Sequence, residues 1–154
     1  MTLSSIHKKT ILECCTFILV LVFIYTGCSK LWDQHNFTAQ LGLFIPVPML
    51  VTIIAWAVPV AEIIIAIGLI IQASRLIALY AYLYLCIIFT AYIIFLLFSS
   101  NALPCSCGGV VAALSWKQHL VFNGALILLC IACIRIENER IAFSQLVKHK
   151  KTTN

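Results

Sequence analysis

Cys105 and Cys107 have only Ser106 between them and lie beside Pro104 and the pair Gly108-Gly109. They fall in the longest break between strongly apolar stretches in the C-terminal half of the chain. A ring closed by a Cys-x-Cys disulfide is small and strained, so it is easier to reduce than a structural bridge and suits exchange with a partner thiol. The glycines give a tight loop the backbone freedom it needs, and Pro104 fixes the approach. Lys117 and His119 follow closely in sequence. A positive charge folded over a thiol favours the thiolate, the form that attacks. The spacing is open to three chemistries: redox exchange, a structural bridge that clips the loop to Cys28, or a metal held by Cys28, Cys105, Cys107 and His119. Redox exchange suits the short spacing best. In that reading Cys105 and Cys107 are the exchange pair, Cys28 is a second relay thiol, and Lys117 or His119 stabilises the thiolate.

Three further polar positions interrupt apolar stretches. Glu62 is the most informative, because an ionisable group within a membrane span is costly and usually faces the bundle interior with a partner. Lys30 is the expected partner, tying the first span to the second. A helix starting near Pro59 would put Glu62 in its first turn, where the helix dipole favours a carboxylate. Beyond packing, Glu62 is a candidate contact for a proton or a quinone headgroup. His119 and Asn123 are four residues apart, hence on one helix face. Turned inward, they set hydrogen-bonding groups under the cysteine loop. The remaining cysteines, Cys14, Cys15, Cys86, Cys130 and Cys133, read as small hydrophobes that pack in an apolar interior.

The elements that must position these groups follow from composition. Of the 154 residues, 63% are hydrophobic and 10% charged. Soluble domains carry about 25% charged residues, so this chain cannot cover itself with a polar surface. It reads as one all-α domain: an integral membrane four-helix bundle. A short interfacial or dipping segment separates helices 1 and 2. The expected spans are about 10–27, 57–72, 77–98 and 119–135, each near the roughly 20 apolar residues that cross a bilayer, with a tail over 136–154. The stretch 31–43, with Trp32, Asp33, His35 and Phe37, has the mixed character of the interface. Pro46, Pro48 and Pro59 suggest a dipping piece up to about Trp56 and a true helix from near Pro59. The first apolar run, after Lys8 and Lys9, lacks a small-x-small cleavage site and is expected to stay as a helix.

Charge placement sets the topology. Four spans bring both chain ends to one side with Lys8, Lys9, Arg75, Arg135, Arg140, Lys148, Lys150 and Lys151, and leave only Lys30 and Lys117 opposite. Positive residues gather on the cytoplasmic side. The expected site is therefore a bacterial inner membrane, with both termini cytoplasmic and Cys28, Cys105 and Cys107 at the oxidising outer face. The net charge of +5 marks membrane topology and not nucleic-acid binding.

Tyr25-x-Gly27-x-x-Lys30 ends the first span, Pro59-x-x-Glu62 followed by Gly68 marks the second, and Cys105-Ser106-Cys107-Gly108-Gly109 precedes a last span containing Asn123. In that order the motifs resemble the DoxX-like membrane proteins, MauE (methylamine utilisation) type, over roughly residues 10–135. The resemblance implies a four-span inner-membrane protein linked to maturation of a disulfide-bonded extracytoplasmic subunit. That family's loop usually has phenylalanine where Gly108 stands here. DoxX-type relatives imply a quinone partner, with Glu62, Asn123, His119 and Lys30 as its contacts. The expected partners are an extracytoplasmic thiol or disulfide protein, membrane lipid and a homo- or hetero-oligomer. The alternative is a non-catalytic membrane subunit or assembly factor with a structural disulfide in its outer loop, and a small-solute transporter is a third class.

Overall fold

The computed structural model describes residues 3–43, 45–99 and 116–152. These residues form five helices: α1 (Leu3–Trp32), α2 (Gln34–Gly42), α3 (Pro48–Ile70), α4 (Arg75–Ser99) and α5 (Trp116–Thr152). Four of them are long and apolar enough to cross a membrane, over His7–Trp32, Pro48–Ile70, Arg75–Phe95 and Gln118–Leu146. The chain is a multi-pass membrane protein. Its four spans pack in cyclic order, α1 on α3, α3 on α4, α4 on α5 and α5 back on α1. Each neighbour runs antiparallel to the next, the up-down arrangement that short connections favour.

The helices end where local chemistry stops them. Between α1 and α2 only Asp33 leaves the helical conformation, and its carboxylate accepts from Asn36 Nδ2 at 2.9 and 3.1 Å. The short helix α2 packs on α3 and lightly on α1, with Leu41 buried against Val51 and Ala55. This is the segment expected between the first two spans.

The second span departs from its expected start. It begins at Pro48, with Val47 extended before it, and runs unbroken through Pro59. Proline at a first helical position has no amide hydrogen to lose, and Pro48 takes that place instead of Pro59. A proline inside a helix strips the carbonyl four residues back of its bond. Here that carbonyl is Ala55, and Gln34 Nε2 of α2 donates to it at 3.1 Å. The outside donor meets the cost of the internal proline, and the helix carries on. Glu62 therefore lies in mid-helix, where no N-terminal dipole acts on it.

The last helix also outruns its expected end. No glycine or proline occurs between Ala125 and Thr152, and α5 continues past Arg135 as one piece.

The core joins Leu19 and Phe23 of α1, Ala66 and Leu69 of α3, Leu79 and Tyr82 of α4, and Leu126 and Cys130 of α5. Phe23 and Tyr82 stack across the bundle with ring centroids 3.7 Å apart. Small residues let membrane helices approach closely. A Cβ on Gly27 would meet Ile63 Cγ1 at 3.1 Å and the Pro59 carbonyl at 3.2 Å, and one on Gly68 would meet Ala78 Cβ at 3.0 Å. Both motif glycines thus mark close crossings, α1 with α3 and α3 with α4.

Candidate functional site

Lys30 and Glu62 face each other where the end of α1 crosses the middle of α3. Lys30 Nζ donates to Glu62 Oε1 at 2.6 Å, and the side chains are only 15% and 7% exposed. The Gly27 crossing, one turn earlier on α1, sets this approach. The ammonium also lies 5.5 Å from the Phe89 ring centroid on α4 and 5.9 Å from that of Phe37 on α2. Both distances are within cation–π range.

His119 and Asn123 are buried on the first turns of α5. They do turn inward, and they meet Lys30 and Glu62 around one cavity of about 80 Å³. Aromatic and aliphatic side chains, among them Phe23, Phe37, Phe89, Phe122 and Leu126, make up most of its wall. Two buried polar atoms there have no protein partner: Glu62 Oε2, an acceptor, and Asn123 Nδ2, a donor. All four residues expected to contact a small molecule therefore come together.

The cysteine residues are distributed differently. Cys28 is a free, exposed thiol and does not line the cavity. Cys105 and Cys107 lie outside the described residues. Lys117 belongs to the first turn of α5, but its side chain is also outside them. Cys130 is buried and its thiol donates to the Leu79 carbonyl at 3.2 Å, which fits a packing role. Cys86 is the exception among the inner cysteines, because it lines the cavity.

Sequence reasoning missed Cys86, Thr26, Phe37 and Phe89 as site residues. Thr26 and Lys30 are four apart, and Cys86 and Phe89 three apart, so each pair shares a helix face. That spacing was the available signal. It was hidden because nearly every neighbouring position is apolar as well.

The opposite end of the bundle holds the chain termini. Lys8 of α1 meets Glu139 of α5 at 2.9 Å, and Arg140 meets Glu137 at 2.6 Å. Arg75 is buried, donates from Nε to the Leu69 carbonyl at 3.1 Å, and approaches Glu13 Oε1 at 3.3 Å. These contacts put both chain ends and the α3–α4 turn on one side of the bundle, with the cavity toward the other.

No curated protein and no solved structure matches the chain. The family model described as "Methylamine utilisation protein MauE" matches residues 8–136.

Proposed function

Since the chain belongs to the MauE family, we propose that it is a membrane thiol–disulfide redox protein, or an accessory to one, that supports disulfide formation in an extracytoplasmic partner. The observation that carries the reading is the position of the cavity that Lys30, Glu62, His119 and Asn123 share. It opens in the bundle half where α4 ends and α5 begins, and the segment with Cys105 and Cys107 joins those two helices. Charge distribution orients this end outward from a bacterial inner membrane, with both termini cytoplasmic.

In this reading a partner thiolate attacks one sulfur of a Cys105–Cys107 disulfide and displaces the other as thiolate. A second partner thiolate then attacks the mixed disulfide. The partner gains the disulfide, and the pair at positions 105 and 107 is left reduced by two electrons. Reoxidation needs a two-electron acceptor, and a membrane quinone is the class we propose. The cavity at about 80 Å³ is well below the roughly 150 Å³ that binds a benzene ring. A quinone ring does not fit it as shaped, so Lys30, Glu62, His119 and Asn123 are not assigned to hold one.

The test is mixed-disulfide trapping in cells carrying a Cys107→Ser form. The lone Cys105 thiolate is expected to attack a disulfide of the oxidised extracytoplasmic partner, the reverse of the forward step, releasing one partner thiolate and leaving an adduct that Cys107 is no longer present to resolve. The adduct should disappear under reduction and in the Cys105→Ser/Cys107→Ser form. Absence of any adduct, with normal partner oxidation in the double variant, overturns the reading. A membrane-impermeant maleimide should label reduced Cys105 and Cys107 from outside intact cells, and failure to do so overturns the orientation.

A further inference from the structure

We propose that Glu62 is a proton-transfer group, linked through water in the cavity to Asn123, with Lys30 as its fixed counter-charge. This deepens the redox reading and rests on it for its purpose. Converting two thiols to a disulfide releases two protons with the two electrons; thiols at the outer face lose theirs to water, whereas an acceptor within the membrane must take up its protons inside a low-dielectric bundle.

Four observations support the assignment. The first is an asymmetry in the ion pair. Glu62 is 5% exposed, and only one of its oxygens bonds Lys30. A buried pair that serves only as a fastening needs its remaining lone pairs satisfied to repay desolvation. Thr26 lies beside the carboxylate but its hydroxyl donates to the Phe23 carbonyl at 3.4 Å, so Oε2 has no hydrogen-bond partner, and a bare buried acceptor is expensive.

The second is what lies beside that oxygen. The cavity of about 80 Å³ has room for roughly two or three waters at about 30 Å³ each. Asn123 Nδ2, also buried and without a protein partner, lines the same space. A water there accepts from Asn123 and donates to Glu62, so one molecule answers both bare atoms. The apolar walls confine water to this polar edge.

The third concerns Lys30. If Glu62 takes a proton, the ammonium loses its counter-charge. The Phe89 and Phe37 rings, at 5.5 and 5.9 Å, still stabilise it through their electron-rich faces. The pair can thus exist with the carboxyl charged or neutral.

The fourth is the set of ionisable neighbours. Lys30 of α1, Tyr82 and Cys86 of α4 and His119 of α5 face Glu62; Tyr25 of α1 lines the same cavity, while α2 contributes the uncharged Phe37. No second carboxylate is among them, and the His119 imidazole is a neighbour that could pass a proton on.

The test uses the full chain in lipid nanodiscs and infrared difference spectroscopy, triggered by a pH step and separately by phosphine reduction. The expected result is a protonated-carboxyl band that shifts in D2O, persists in Glu13→Gln and vanishes in Glu62→Gln. Asn123→Leu, which fills the cavity, should keep helical content by circular dichroism and slow exchange of that carboxyl proton with solvent. Reoxidation of the cysteine pair in Glu62→Gln should slow by roughly 100-fold, the scale of general acid–base assistance, while Cys107→Ser adducts still form in its background. A folded wild-type chain with no Glu62 carboxyl band under either trigger overturns the proposal, as does unchanged proton exchange in a folded Asn123→Leu. The pH-step arm needs no cysteine chemistry. A missing mixed disulfide with a normal Glu62 band sinks the redox reading and leaves the proton site standing.

Discussion

Acid–base pairs tie the helices together toward both ends of the bundle, and two of them, Arg75–Glu13 and Lys30–Glu62, differ in everything but their charges. Arg75 and Glu13 sit near the chain termini at 3.3 Å, and Glu13 is 46% exposed. Arg75 also serves the end of α3 by binding the Leu69 carbonyl, one of the last-turn acceptors that the helix itself cannot satisfy. Ser74 Oγ does the same for Gly68 at 3.0 Å. This end is a fastening made of helix caps, of charges such as Glu13 that reach water, and of one buried carboxylate, Glu137, which Arg140 of its own helix holds and which also leaves an oxygen without a protein partner. At the other end, Lys30 and Glu62 are shut among aromatic rings beside a cavity, and one carboxylate oxygen is left over. An ion pair near water is worth little and matters little when broken. The same pair enclosed in the membrane is costly, and its protonation state becomes consequential.

The comparison can be broken most severely at Lys30. Lys30→Met leaves a buried carboxylate without its counter-charge and should cost about 3–5 kcal/mol, read as a lowered unfolding midpoint in detergent. Adding Glu62→Leu should recover most of that loss, because two apolar residues replace a buried pair at little cost. If the double variant is as unstable as the single, the pair is not the source of the effect.

Gln34 gives the next largest effect. Gln34→Ala leaves the Ala55 carbonyl bare and should cost about 1–3 kcal/mol in the same assay. In a Pro59→Ala background the amide hydrogen returns to α3, and the cost of Gln34→Ala should fall. Equal costs in both backgrounds would show that Gln34 does not serve the proline.

The glycines compare the two ends directly. Gly27→Ala presses on the Pro59 carbonyl near the cavity, and Gly68→Ala presses on Ala78 near the opposite turn. Each is an overpacking change of about 1–3 kcal/mol. Only Gly27→Ala should also disturb the infrared band of Glu62, since its crossing sets the approach of Lys30.

The smallest effect belongs to Glu13. Glu13→Gln should change stability by less than about 1 kcal/mol, and any change should shrink further with salt. A loss as large as that of Lys30→Met would erase the distinction between the two ends.

Much of the fold was legible because hydropathy over 20-residue stretches is a strong signal, and because the positive residues sort by side. The Lys30–Glu62 contact was legible for a related reason. A charge inside a span needs a partner, and few were on offer. His119 and Asn123 followed from their four-residue spacing next to a helix start. The start of the second span was not legible, since Pro46, Pro48 and Pro59 each suit a first helical turn. Only the Gln34 contact, distant in sequence, explains why Pro59 is internal. Phe37, Phe89 and Cys86 stayed hidden for another reason. Helices bathed in lipid are apolar all round, so no amphipathic period separates a cavity wall from a lipid-facing side. Cys105 and Cys107, which the sequence marks most strongly, lie outside the described residues, so their chemistry rests on spacing and on the family.

The unbroken run of α5 has a mechanical consequence. Its 37 residues make a rod about 55 Å long, set in a hydrocarbon layer of about 30 Å. The rod stands clear of the lipid by roughly 25 Å, with Phe143 and Leu146 exposed along its shaft. From Ala125 onward it has no glycine or proline to act as a joint. A twist applied to the shaft in the aqueous phase would therefore be carried through the bilayer as far as Gly124, the residue after Asn123, as the turn of a key reaches the bolt.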